Sequence, residues 1–481
     1  MSEFDGERRE LLGAQLGVWY GQLLGPEDSV YTEGEYLEIH GDLDLDLFGT
    51  ALRRTVDEID IHHLRFCGDD ESPRQYVDRR DSWQLHIIDV SAAADPRAVA
   101  ESWMWADMQR PIDLREGPLF THALFSAGPG LFFWYQSCHH MICDGIGAAV
   151  IVRRQAEIYT SLLEGGFPDK GAPEPFSVLL DSERSYRASA ALGEDREFWR
   201  DALSGFPGMR SMSGRLAGKA QHLRIRNTEN IDSGGAADLK SAARRLSTSF
   251  SGLVIAAASI YLSRCGGAED IVLGLGVSGR TSSRERKIPG MTTNILPVRL
   301  AMNPEMSAGE LSRQVSKAVR DGLRHQRYRF EDMTRDLKLA EGVSLFGLLI
   351  NVIPFDYAVE FGGCPAIAHS LSTGPVDDVN ISIWDRSGDG SIQIAFDVNP
   401  DIYSAASGNE MSRRFRRILD WMAAASPEDR IRQADILAPA EREQLVVGWN
   451  DTAAVVPDVM VPELFGVRAG RIPDAIAVCG G

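Results

Sequence analysis

Residues Trp134–Ala149, WYQSCHHMICDGIGAA, join an aromatic β-prone run to two adjacent histidines and then to a helix start made of small residues. Leu131–Cys138 reads as a strand that delivers His139 and His140 to its end, and three residues later Asp144–Gly145 opens a helix. A histidine at a strand end presents its ring to a cleft, with a pKa near neutrality suited to proton traffic at an amine or thiol. Asp144 is placed to cap the helix. The free N–H groups at the helix start, beginning with Gly145, suit a developing oxyanion. Glycine there also lets a substrate approach the backbone closely.

By spacing alone the same residues fit two other arrangements. One is a pair of half-buried histidines followed by a capped helix. The other is a metal site drawn from Cys138, His139, His140, Cys143 and Asp144. Against metal, Cys-x4-Cys is not a usual zinc spacing, adjacent strand residues point to opposite faces, and no second ligand pair follows. The expectation is therefore no metal.

Upstream, residues 8–24 have Leu12, Leu16, Trp19, Tyr20 and Leu23 at helical spacing, and Gly25–Pro26 stops the helix. Gly34–Gly41 alternates as a strand, Leu43–Ile59 returns to helical period, and strands follow near His63–Phe66, Gln75–Asp78 and Trp83–Asp89. Ala98–Gln109 is helical. Leu119–Ser126 and Leu131–Cys138 flank a Gly/Pro hairpin at Ala127–Gly130. Gly145–Leu163 is a helix. The mixture has no βαβ repeat, so the expected class is an α/β sandwich and not a doubly wound sheet.

Residues 165–176 carry three prolines and three glycines and mark the expected lobe boundary. Beyond it the pattern predicts helices at Glu183–Leu203, Ala236–Arg245, Ser249–Cys265, Ser307–Arg324 and Ser407–Ala425. Strands are expected at Leu223–Ile231, Ile271–Val277, Leu345–Val352 and Ile392–Val398. The last residues, 436–481, differ in character and end after an apolar run that reads as a strand cut short, as if a further domain had followed.

Composition narrows the class. The 481 residues are 44% apolar and 25% charged, and 50 basic against 69 acidic residues give a net charge of −19. That balance argues against nucleic acid or an anionic membrane as the main partner. Six dispersed cysteines do not form a disulfide framework. The charged N-terminus lacks a signal h-region, and no apolar stretch approaches the roughly 20 residues of a membrane span. The expectation is a cytoplasmic protein.

His139-His140-x-x-x-Asp144-Gly145 resembles the core motif of the condensation domains of nonribosomal peptide synthetases and their chloramphenicol acetyltransferase-like relatives. The resemblance extends over residues 8–435. Ala14–Trp19 is similar to the family's opening AQ-x-x-(I/L/V)-W helix, and Gly276–Arg280 (GVSGR) to its glycine element that ends in GR. Pro289–Asn294 with Pro297 and Arg299 is similar to its P-G-M-x-x-N-x-x-P-x-R segment. His325-Gln326 with Glu331-Asp332 matches HQ-x-x-x-x-E(D/E). Pro462–Val478 resembles the start of an adenylation domain.

The resemblance implies two chloramphenicol acetyltransferase-like lobes in a V-shaped pseudo-dimer, residues 1–175 and 176–435, followed by a linker and truncated adenylation start at 436–481. It makes His140 catalytic, orienting or deprotonating the acceptor amine as it attacks a thioester. His139 supports the loop, Asp144 pairs with Arg280 across the lobes, and Asn294 hydrogen-bonds near the tunnel. The family's H-E-x-L-R helix is replaced here by Asp57–Arg65 (DEIDIHHLR), and its His62–His63 pair is read as scaffold.

Gly34–Ile39, Pro118–Phe125 and Gly374–Asp378 resemble starter domains, which use a free acyl-CoA. The native-looking Met1 just before the opening helix leads to the same expectation. The implied partners are acyl-CoA, the phosphopantetheine arm of a downstream peptidyl carrier protein and an adenylation domain, with no permanently bound cofactor. Arg284, Arg286 and Lys287 are candidates for the phosphates of CoA. Ala148 and Ala149 are candidates for the acyl pocket, with Ala148 leaving room for a medium-length chain. A chain-elongating domain or a stand-alone acyl-CoA acyltransferase is the alternative.

Overall fold

The computed structural model describes residues 7–25, 28–68, 72–80, 83–166, 171–209, 211–214, 224–340, 343–353, 359–372, 374–385, 390–455 and 458–478. Pro26, residues 167–170 of the expected linker, Leu223 and the last three residues lie outside them. The chain packs as two units, 1–436 and 437–481.

Each lobe of the larger unit is built on a six-stranded mixed sheet. In the first, the strands Cys364–Ser372, Thr32–His40, Leu131–His139 and Phe120–Gly128 run antiparallel in that order. Leu85–Asp89 adds in parallel at one edge, and Glu360–Phe361 lies at the other. Apolar residues alternate along these strands, so each face buries its own side chains. Phe48, Trp134, Val152, Tyr159 and Phe361 fill the face under the helices Leu45–Glu58 and Gly145–Leu163. Met104, Phe125, Phe133 and Tyr135 fill the opposite face, under the helix Pro96–Met108.

The second sheet orders its strands Asn294–Ala301, Asp270–Val277, Leu348–Ile353, Val379–Asp385, Ile392–Val398 and Ile225–Ile231. Leu348–Ile353 is parallel to both neighbours and the other pairs are antiparallel. The helix Phe250–Gly266 is apolar on every side because it is central: Leu253 through Leu262 are all buried. Ser249 caps it through the Gly252 N–H, and Gly267, at φ +67°, ends it in the left-handed conformation.

Four expectations are corrected. The boundary near residue 175 does not separate the sheets, because Cys364–Ser372 pairs with Thr32–His40 in the first lobe and covers its otherwise open edge. The opening helix begins at Gly13, since Arg9–Glu10 pairs as a short strand with Arg74–Gln75. The single helix expected at Glu183–Leu203 is two, Ser177–Arg187 and Ala190–Ala202. Ser189 breaks it, its Oγ bonding the Tyr186 carbonyl at 2.8 Å. In the smaller unit the expected strand is absent among the described residues. Upstream of it, Val461–Arg471 is a helix, started by Pro462 and by Glu463 in the first turn, whose carboxylate accepts from the Met460 N–H at 3.0 Å. Among the described residues no single helix is long and apolar enough to cross a membrane.

Candidate active site

The strand Leu131–His139 turns directly into the helix Gly145–Leu163, and the turn divides the two histidines. His139 is buried. Its Nδ1 accepts from the Met141 N–H at 3.2 Å, so Nε2 carries the proton and donates to Gln22 Oε1 at 3.1 Å. Burial, with the nearby His140 charge, pushes its pKa down to about 3. It stays neutral and holds the turn. Gln15 of the opening helix supports the same turn, its Nε2 donating to the Met141 carbonyl at 3.0 Å.

His140 lines a cavity of about 1110 Å³. Its Nδ1 lies 2.9 Å from the Cys143 carbonyl and 3.2 Å from Glu33 Oε2. Both are acceptors, so Nδ1 is protonated and Nε2 is the nitrogen left for a ligand. Burial works to lower the pKa, but the Glu33 carboxylate, the Cys143 carbonyl and the Asp144 charge outweigh it and raise it to about 9. The near-neutral value expected from the sequence is thereby corrected. At pH 7 the resting ring is an imidazolium.

Glu33 was missed because its role comes from pairing. It faces Cys138 across the sheet, at the start of a strand whose first residues precede the alternation that marks it. Glu33→Gln removes the largest influence that opposes burial, so the His140 pKa is expected to fall clearly from about 9. An NMR titration of the ring reads this directly, and an unshifted midpoint rejects the account.

Asp144 is buried and joins the two lobes. Oδ1 accepts from the Gly147 N–H at 3.0 Å, capping the helix. Oδ2 accepts from Arg280 Nη1 at 2.7 Å, from the Thr292 N–H at 3.0 Å, and from the hydroxyls of Thr292 and Thr293. Arg280 is equally buried and donates its other arm to the carbonyls of Ile288 and Gly290. Burial disfavours the Asp144 carboxylate, yet Arg280 and the donated N–H groups keep its pKa below 3.8. Close contact requires glycine at 147: a Cβ there would stand 3.1 Å from the Gly290 nitrogen and closer still to Cys143 Sγ. Among the described residues, the N–H groups of Gly145 and Ile146 have no acceptor, and both residues line the cavity.

The other candidates divide. Ala148 lines the cavity, whereas Ala149 is buried in the core with Leu124, Trp134 and Val152, so it cannot touch a ligand. Arg286 lines the cavity. Arg284 is paired with Glu174 on the surface and Lys287 is outside the lining, so the expected basic cluster reduces to one residue. Asn294 is committed to the backbone: Nδ2 donates to the carbonyls of Gln326 and Tyr328, and Oδ1 accepts from the N–H groups of Ile295 and Phe330. It braces the 326–330 loop. His63 is held by the Val56 carbonyl at 3.0 Å, and His62 is buried at the cavity wall against Phe120. No group of three or more His, Cys, Asp and Glu side chains able to hold a metal ion occurs among the described residues.

A strand-borne histidine pair, a helix N-terminus and an inter-lobe Asp–Arg bridge around one cavity accord with comparison to known proteins, where residues 7–446 match the condensation domain. The chain belongs to the condensation-domain family. It is 38% identical over 97% of its length to a dimodular nonribosomal peptide synthase of Bacillus subtilis (strain 168). It is 37% identical over 87% of its length to an isonitrile lipopeptide synthase of Streptomyces coeruleorubidus. The chain spans only 20% and 29% of those two proteins. Among solved structures, it matches the starter condensation domain of rhizomide synthetase RzmA, determined as a mutant with C8-CoA and Leu-SNAC, with a TM-score of 0.84. That match has 35% identity and covers 90% of this chain and 98% of the other. The first condensation domain of the calcium-dependent antibiotic synthetase, with a substrate analogue, matches with a TM-score of 0.83 at 31% identity, over 90% of this chain and 99% of the other. Condensation domains are amide-forming acyltransferases, and two chloramphenicol acetyltransferase-like lobes are their fold.

Proposed function

We propose that this condensation domain is a starter domain. It transfers a medium-length fatty acyl group from acyl-CoA to the α-amine of an aminoacyl group held on the phosphopantetheine arm of a carrier protein. The observation that carries the reading is the apolar part of the cavity that His140 lines, to which Ala148 and Ile151 of the helix and Phe120 of the sheet all contribute. The RzmA starter domain solved with C8-CoA supports it. His140 positions the amine or takes its proton, the N–H groups of Gly145 and Ile146 face the developing oxyanion, and Arg286 attracts the phosphates of CoA. Asp144 and Arg280 hold the two walls together without touching substrate. The segment 436–481, through its resemblance at Pro462–Val478, leads toward an adenylation domain.

Six methylenes separate octanoyl from acetyl. Their burial favours the longer donor by at most about 5 kcal/mol, at roughly 0.8 kcal/mol each. Ala148→Arg fills that part of the cavity and places a charge against it. The ratio of octanoyl to acetyl transfer, measured with an aminoacyl carrier protein and the two CoA esters, is expected to fall by on the order of a hundredfold. An unchanged ratio moves the acyl chain elsewhere. Failure of every CoA ester beside turnover of carrier-bound donors would make the domain chain-elongating.

A further inference from the structure

Pro375, Asp377 and Asp378, in the turn before the strand Val379–Asp385, line the cavity. The start of this segment adjoins the reacting ring, since a Cβ on Gly374 would stand 4.0 Å from His140 Cδ2. The turn is pinned from several sides. Asn380 Nδ2 donates to the Pro375 carbonyl at 3.1 Å, and Asn399 Nδ2 donates to the carbonyls of Val376 and Asp377 at 3.1 and 3.0 Å. The Asp378 carboxylate accepts from the Tyr403 hydroxyl at 2.6 Å and from the Met212 N–H at 2.7 Å. One group is left over. Among the described residues, the Asp377 carboxylate has no hydrogen-bond or ion-pair partner.

Other charges on the cavity wall are answered locally. Glu33 faces the His140 imidazolium, Asp144 holds Arg280, and Glu331 pairs with Arg329 at 3.3 Å. Asp377 is open to the cavity, yet the protein around it is dense enough that burial raises its pKa above 3.8. Among the described residues no cation offsets that burial, the His140 ring included, so the carboxylate stands apart from the reacting nitrogen. Its neighbour is Tyr31, which lines the same cavity and whose carbonyl accepts from the His140 N–H at 2.8 Å. Burial pushes the Tyr31 phenol up to about 12, with the Asp377 and Glu331 charges adding to the shift, so it stays neutral. Holding a carboxylate unpaired in a rigid, enclosed turn costs stability, and a cationic ligand returns it.

We propose that Asp377 selects an acceptor amino acid with a basic side chain, binding that side chain's ammonium or guanidinium group while the α-amine sits at His140. CoA is polyanionic, so a bare carboxylate repels it, and a hydrocarbon chain gains nothing from one. The acceptor is the substrate able to bring a positive charge. Its α-amine must be neutral to attack, and a carboxylate clamped on that amine would stabilise the unreactive ammonium. A side-chain cation keeps its charge throughout and stays bound. Tyr31 adds an aromatic face and a hydroxyl beside the same carboxylate. This assignment rests on the acceptor half of the proposed function and is independent of the donor.

The test is calorimetry of aminoacyl groups joined to pantetheine by an amide, which neither transfers nor cyclises and so reads the acceptor alone. Norleucyl is compared with diaminobutyryl, ornithyl, lysyl and arginyl groups. At least one basic group is expected to bind about tenfold or more tighter than norleucyl, the worth of one hydrogen bond to a charged partner. Asp377→Asn keeps the shape and should abolish that preference, while Tm stays level or rises because an unpaired carboxylate has been neutralised. If Asp377→Asn melts far lower, Asp377→Glu, which carries the charge one methylene further, should move the optimum to a shorter basic group, and an unmoved optimum overturns the proposal. Equal or weaker binding by every basic group, or a preference that survives Asp377→Asn, overturns it and leaves the acceptor reading standing. Equal weakening of all five groups by Asp377→Asn assigns the carboxylate to the α-ammonium and overturns it as well. No binding of any group overturns both. The donor reading is tested separately, by the CoA esters.

Discussion

His140→Ala is expected to slow amide formation by about 10²–10⁴-fold, the usual worth of a positioned proton-handling group, while the domain still melts cooperatively. The ring reaches the cavity through Nε2 alone, since Nδ1 is taken by the Cys143 carbonyl and Glu33. The sign of the pH dependence follows from its raised pKa of about 9. At pH 7 the resting ring is an imidazolium, and an acceptor arriving as an ammonium adds a second positive charge. Attack needs a neutral amine, so a proton must leave the pair. Turnover of the unsubstituted domain should therefore climb with pH towards about 9, whereas His140→Ala should follow only the titration of the acceptor amine. Single-turnover rates with a preloaded aminoacyl carrier protein measure both. Full activity in the variant, or identical pH profiles, would take proton handling away from His140.

Asp144→Ala should have the largest effect on stability. The substitution removes the helix cap and strands Arg280, whose side chain has no solvent exposure. Losing one partner of a buried pair costs about 3–5 kcal/mol. In a domain this large that corresponds to a fall in Tm of roughly 3–6 °C. The pH dependence has a definite direction. The folded pKa of Asp144 lies below its ordinary 3.8, so its contribution is complete above that value and is lost as acid titrates through the lower one. The acid limb of the stability curve should flatten in the variant. Asp144→Asn, which keeps an acceptor for Gly147, is expected to fall between. An inactive Asp144→Ala with unchanged Tm would instead put Asp144 in the chemistry.

Local signals made most of the elements and half of the site legible. The helix Gly145–Leu163 lies where its small-residue start and Asp144 cap place it, because a cap and a helical period act within a few residues. Resemblance supplied the Asp144–Arg280 pair, 136 positions apart, which periodicity alone does not connect. What escaped depends on the third dimension. Glu33 matters through sheet register, and Arg284 is spent on Glu174, a partner far away in sequence. Ala148 and Ala149 are neighbours with the same side chain, yet a turn of about 100° per residue sends one to the cavity and the other into the core.

The strand Cys364–Ser372 has a consequence for how the chain is made. Tyr36 is paired with His369, 333 residues later. A ribosome adding about 5–20 residues per second reaches that partner on the order of tens of seconds after Tyr36 emerges. Throughout that interval the strand Thr32–His40 has one side unpaired, and its backbone N–H and C=O groups can recruit any other nascent chain. The site matures late for the same reason, since Asp144 waits for Arg280 and the first lobe waits for its closing strand. Excising residues 1–175 as a separate piece would make that temporary open edge permanent. Attempts to recombine such domains at the boundary near residue 175 would cut through a shared sheet, whereas exchange of the whole 1–436 unit keeps each strand with its partner.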